Sequence, residues 1–232
     1  MARKPEVLHE KRAVNYDEVH WKTLARLRER AADILLPLQE GGIKSHVYGS
    51  LARGDVSKSS DIDIIVPHAV SSYRIEIILS FGTRRELVQA TPSSVLKGHL
   101  HLDNEIVVSF PMFKMMSRER EFYQWGGMIN LDDILNHNRV PGVDKRLILI
   151  EPTERGHIEQ GVIGYESYAA KKLGVSVSIA QERTRVLARR DEVGRTGVYR
   201  TYLLKDDETF EEAAKSLADS DPALRRTIKR RE

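Results

Sequence analysis

Apolar residues return at helical spacing at Leu24, Leu27, Ala31 and Ile34 or Leu35, which predicts one buried face of a helix. Asp17 is its expected N-cap, and Pro37 should stop it after Leu36. The arginines interleaved with these positions are read as solvated. Gly41-Gly42 breaks the pattern, and Ile43 to Tyr48 follows as a strand that delivers Gly49. Ile62, Ile64, Ile65 and Val66 are β-branched and form a buried strand, with Asp63 set among them. From Ser72 to Ser80, Tyr73, Ile75, Ile77 and Leu79 occupy every second position, so this stretch is a strand or a short helix. Arg85 to Ala90 predicts another strand, Thr91-Pro-Ser-Ser94 a loop, and Leu102 to Phe110 a strand entered by a hairpin from His99-Leu-His-Leu102. Met112 to Asn138 is expected to be a loop between domains. Strands and helices mixed at these lengths make an α/β or α+β domain.

Beyond Asp144 the pattern changes. Arg146 to Ile150 is a short strand, and Tyr165–Val175, Ser176–Ser178 and Ile179–Arg190 together resemble a helix-turn-helix of the winged kind. Gly174 supplies the sharp turn, and Ser176 or Ser178 caps the second helix. In that helix Ile179 and Val186 face inward, while Gln181, Arg185 and Arg189 recur along an outer stripe suited to a nucleic-acid groove. Val193 to Leu203 reads as a glycine-containing hairpin, the wing, carrying Arg195 and Arg200. The last stretch opens an acidic amphipathic helix at Asp206 to Glu212 and closes on Arg225-Arg226 and Lys229-Arg-Arg231, read as a frayed, solvated end. The expected domains are therefore 1–140, 141–205 and 206–232.

Composition narrows the class without choosing it. The 232 residues include no cysteine, so neither a disulfide framework nor a thiolate metal site can form. Charged residues make up 31% but the net charge is only +3, so any affinity for polyanions must come from clustering. No long uncharged apolar run is present, and a soluble cytoplasmic protein with no membrane partner is expected. His99, His101, His137 and His157 show no ligand spacing on a predictable helix face, and no histidine metal site is assigned.

The chemistry concentrates between Val47 and Val66. Asp61 and Asp63 stand two apart in a strand, so their carboxylates share a face. Mg2+ favours one or two carboxylates together with substrate phosphates, and this pair supplies them. Gly49 lets backbone approach a phosphate, Ser50 adds a hydroxyl, and Arg53 adds positive charge beside them.

Gly49-Ser50, Arg53-Gly54 and Ser60-Asp61-Ile62-Asp63 together resemble the signature of the nucleotidyltransferase superfamily that includes DNA polymerase beta and the CCA-adding enzymes. The resemblance implies a mixed sheet with flanking helices, an α+β fold, over roughly residues 17 to 115, followed here by the smaller winged-helix-like region. It also implies a Gly-Ser turn holding an NTP, and three carboxylates binding two divalent ions, Mg2+ or Mn2+. Gly49, Ser50, Arg53 and Ser60 are then the nucleotide-binding residues. The third carboxylate is not in its usual place, since Ile106 to Val108 has no acid. Glu105 is the best substitute, with Asp103 on the same face one pair earlier.

Two functions follow. The chain is an active transferase moving a nucleoside monophosphate to a nucleic-acid 3′ end, a small molecule or a protein, or it is a nucleotide-sensing DNA-binding regulator with weakened turnover.

Overall fold

The computed structural model describes residues 4–80, 82–194 and 197–231. β1 (Arg12–Asn15) leads into α1 (Glu18–Glu40), then β2 (His46–Tyr48), α2 (Ser50–Arg53), β3 (Ile62–Ile65), α3 (Ser72–Leu79), β4 (Arg84–Gln89), β5 (Lys97–His101) and β6 (Ile106–Pro111). There follow α4 (Ser117–Gly126), β7 (Met128–Ile129), α5 (Leu131–Leu135), β8 (Gly142–Val143), β9 (Ile148–Thr153) and β10 (Gly156–Gly161). The last elements are α6 (Glu166–Leu173), α7 (Val177–Val193), β11 (Arg200–Leu203), α8 (Phe210–Ser220) and α9 (Pro222–Lys229). This is the mixed α+β architecture expected. Among the described residues no helix is long and apolar enough to cross a membrane.

The chain groups into two compact units, each drawn from separated stretches. The first holds Met1–Ala32, Val47–Ser60 and Arg120–Thr196. In it β1, β10, β9 and β8 form an antiparallel sheet, and β2 pairs with β7. Trp125 of α4, Leu147 just before β9, Leu149 within it, and Ala170, Leu173 and Ala180 of the α6–α7 pair share one apolar cluster. Gly174 ends α6 in the left-handed region, at φ 64°, and Ser176 caps α7 by accepting from the Ile179 amide.

The second unit holds Asp33–His46, Asp61–Glu119 and Gly197–Glu232. Here β11, β4, β5, β6 and β3 lie side by side in that order, with β3 parallel to β6 and the other pairs antiparallel. Alternation gives this sheet one apolar face, in which Ile64, Val108, Leu100 and Leu87 are fully buried. α8 covers it, and Phe210 meets Phe110 edge to face with ring centroids 4.9 Å apart. Gly98 makes room for that contact, because a Cβ there would lie 2.4 Å from the Phe110 ring.

Several expectations need correction. α1 does not stop at Pro37 but runs one more turn to Glu40 and buries Leu38; near a helix end the missing proline amide removes only one ladder bond. Of the two forms open to residues 72–79, strand or short helix, the chain takes the helix, with Ile75 and Glu76 buried and Tyr73 and Ile77 exposed. Residues 112–138 are not a loop. They contain α4, β7 and α5, the last opened by a reciprocal capping box between Asn130 and Asp133. The strand required for a wing, β11, pairs instead with β4, where it occupies a sheet edge that would otherwise stand open.

The closing segment is not frayed at Arg231. That side chain is buried, and its guanidinium donates to both oxygens of Glu119, at 2.6 and 2.9 Å, and to the Ser93 carbonyl at 2.7 Å. Burial alone would raise the Glu119 carboxyl, but the bonds from Arg231 and from the Met116 and Val95 amides outweigh it and hold the carboxyl below its ordinary value. The stability this contributes is fully present above the unfolded glutamate value of about 4.3 and is lost as pH falls through the folded one. Arg231→Ala should cost about 3 kcal/mol at neutral pH and flatten the loss of stability in acid. Denaturant titrations of both proteins across that range check this, and an unchanged acid limb would contradict it.

Candidate active site

The Gly49–Gly54 turn is fixed from several sides within the first unit. Gly49 adopts φ 81° and ψ −143°, a backbone conformation that residues with a Cβ avoid, although there is open space for one. Its amide donates to the Gly127 carbonyl at 2.9 Å. Arg28, on the inner face of α1, donates from Nε and Nη2 to the Leu51 carbonyl at 3.2 and 3.1 Å and from Nη2 to the Ala52 carbonyl at 3.3 Å. The expectation that the α1 arginines are all solvated is therefore wrong for Arg28, which is 5% exposed. Burial, assisted by the nearby Arg139 charge, pulls its pKa down to about 10, so it remains charged at neutral pH. His20 Nε2 lies 2.7 Å from the Gly54 carbonyl and closes the far side.

Arg53 is likewise buried. Its guanidinium grips both oxygens of Asp55, at 2.9 and 3.0 Å, and the Gly126 carbonyl at 2.5 Å. It holds the turn in shape and is already engaged by protein groups. Ser50 Oγ donates toward Ser60 Oγ at 3.5 Å, and Ser60 Oγ also accepts from the Ser57 amide at 2.9 Å. Ser60 immediately precedes Asp61 in the chain.

In the second unit, β3 and β6 are in register with Asp63 opposite Val107, and the Ile62 amide donates to the Glu105 carbonyl at 2.8 Å. Ile62 and Ile64 are fully buried beneath, which anchors the strand while Asp61 and Asp63 point away from the core. Both carboxylates line a cavity of about 320 Å3 together with Glu105 and Asp103. Oxygen-only donors of this kind fit a hard cation such as Mg2+ or Mn2+. The centre of β6 offers no third acid, because Val107 stands opposite Asp63. Glu105 lies just before β6, is exposed and reaches the same cavity. Asp103 commits one oxygen to the turn, accepting from the Glu105 and Ile106 amides at 2.7 Å each.

Thr83, Arg84 and His101 also line this cavity, and the sequence reading nominated none of them. Cross-strand register puts Asp63, Val107, His101 and Arg84 in one row over four strands. Only that register, which no local pattern announces, joins them. A second cavity, in the first unit, is lined by Tyr16, His20, Asp55 and His157 and contains none of the nominated residues.

Gln181, Arg185 and Arg189 are exposed along α7. Arg183 is not part of that stripe; it lies over the Phe122 ring at 4.9 Å. Arg200 is engaged with Asp221 at 2.6 Å and lies over the Tyr199 ring, and Arg195 lies outside the described residues.

A family model described as a nucleotidyltransferase domain matches residues 27–160, more than half of the 232, and the chain belongs to that family. The match extends beyond the stretch the motif suggested and takes in α4, β9 and most of β10. Searches of curated proteins and of solved structures found no match.

Arg28→Met keeps the volume of the side chain but leaves the Leu51 and Ala52 carbonyls without their buried donor. A loss of about 2 kcal/mol in unfolding free energy is expected, measured by guanidinium denaturation. An unchanged midpoint would show that the turn does not depend on Arg28.

Proposed function

We propose that the chain is a metal-dependent nucleotidyltransferase that moves a nucleoside monophosphate from an NTP to a hydroxyl acceptor and releases pyrophosphate. The observation that carries this reading is the convergence of Asp61, Asp63 and Glu105 on one cavity of a nucleotidyltransferase-family chain. Asp61 and Asp63 would hold the divalent ions, Mg2+ or Mn2+, with Glu105 as third ligand or as the base that takes the acceptor's proton. When bound, such ions supply Lewis-acid stabilisation of charge on the phosphoryl oxygens. Gly49 lets the triphosphate approach backbone, and the Ser50 hydroxyl can turn its one proton from the long 3.5 Å contact with Ser60 to a phosphate oxygen. Arg53 and Arg28 act through the turn that they hold.

Glu105 is preferred to Asp103 because it lies immediately before β6, where its carbonyl receives the Ile62 amide of β3. The exposed Gln181, Arg185 and Arg189 support a nucleic-acid acceptor or template on α7. Val107 opposite Asp63 supports a second reading, a nucleotide-sensing DNA-binding regulator with weak turnover.

Transfer of label from an α-labelled NTP to RNA, DNA or protein in Mg2+ or Mn2+ separates the two. Asp61→Asn or Asp63→Asn should lower transfer at least about 100-fold, since lost stabilisation of several kcal/mol is at stake. Wild-type protein that binds NTP without transferring label under either metal would favour the regulator. For the nucleic-acid contact, Arg185→Ala with Arg189→Ala should weaken binding uniformly across sequences and reduce the slope of log K against log salt by about 2. Unchanged affinity and slope would remove α7 from the interface.

A further inference from the structure

β5 carries His99 and His101 two residues apart, so both rings lie on the face that Asp63 shares. Glu86 stands directly opposite His99 on β4. The three side chains offer one donor atom each, all within 4.8 Å of one another. His101 Nε2 and Glu86 Oε1 are 2.9 Å apart, close to the roughly 3 Å edge of a coordination shell with bonds of about 2.1 Å. A hydrogen bond between them accounts for that pair alone. It leaves His99 unexplained: its Nε2 is shielded from solvent and has no hydrogen-bond partner among the described residues. A shielded ring nitrogen without a partner costs about 1–3 kcal/mol unless something else satisfies it.

We propose that Glu86, His99 and His101 form a binding site for a divalent transition metal of the Zn2+ class, separate from the Asp61/Asp63 pair. Two imidazole nitrogens and one carboxylate suit a borderline cation and not Mg2+, which prefers oxygen. The surroundings prepare the donors. Burial, with the Lys97 charge, pulls His99 down to about 3, which leaves its ring neutral at physiological pH. Arg84 binds the other Glu86 oxygen at 2.5 Å and orients the carboxylate from outside the shell. Three protein ligands leave a coordination position for solvent or substrate oxygen, as in open zinc sites. His101 lines the cavity that Asp61 and Asp63 line, so that position would be accessible from it.

None of these three residues belongs to the proposed transferase set, so this site stands or falls independently of that function. The test is a titration of the chelator-treated full chain with Co2+, followed by its visible ligand-field bands, and with Zn2+ by calorimetry, both in a large excess of Mg2+. About one ion per chain is expected, with bands characteristic of nitrogen and oxygen donors, retained in an Asp61→Asn/Asp63→Asn protein. His99→Gln and His101→Gln should each weaken binding at least about 10- to 100-fold. Binding that vanishes with the aspartates and ignores both histidine changes overturns the site, as does the absence of tight binding to wild-type protein. Should a histidine variant fail to fold, X-ray absorption of Zn2+ bound to the wild-type chain decides: imidazole scattering from two rings supports the site, and an oxygen-only shell overturns it.

Discussion

The parallel pairing of β3 with β6 is the constraint on which the site depends. Asp61 and Asp63 repel each other and would be costly to hold together in an apolar setting. The strand does so by alternation. Ile62 and Ile64 are fully buried on one face, and the hydrogen bonds to β6 begin at the Glu105 carbonyl, so the carboxylates can turn only toward the cavity. A slip of one residue would put acids into the core and isoleucines into water, which makes the register strongly specified. The same register fixes what stands across from Asp63, and β5 and β4 continue the row with His101 and Arg84.

The Gly49–Gly54 turn obeys a different logic. It uses a backbone conformation open to glycine at Gly49 and another left-handed residue at Gly54, both unfavourable for other residues. Such a turn persists because its surroundings over-determine it. Arg28 holds the carbonyls of its short helix, Arg53 ties it to Asp55 and Gly126, and His20 meets the last carbonyl. Two buried cations therefore maintain the shape of this segment.

Much of this was readable where the signal is local. Asp17 caps α1 through the His20 amide, the isoleucine strand lies where its β-branched run predicts, and the α6–α7 turn uses Gly174 and Ser176 as expected. Legibility fails where the deciding partner is distant in sequence. α3 alternates apolar and polar residues like a strand, and eight residues are too few for helical periodicity to prevail. α4 opens with four charged residues in its first five positions and buries only Tyr123 and Trp125. Arg28 and Arg231 look solvated, and Arg53 looks free for a ligand, until the carbonyls and carboxylates that receive them are known. His99 and His101 stand two apart on a strand and Glu86, which completes their cluster, comes from a neighbouring strand, so no helical spacing announces the three.

The central claim is that Asp61 and Asp63 hold a divalent cation against the phosphates of a nucleotide. A crystal grown with Mn2+ and a non-hydrolysable NTP analogue, measured at a wavelength where manganese scatters anomalously, tests it most directly. The account predicts an anomalous peak bound by Asp61 and Asp63 and by triphosphate oxygens, with Glu105 on the same cluster. Manganese and triphosphate found together elsewhere, with the two aspartates binding neither, would contradict it.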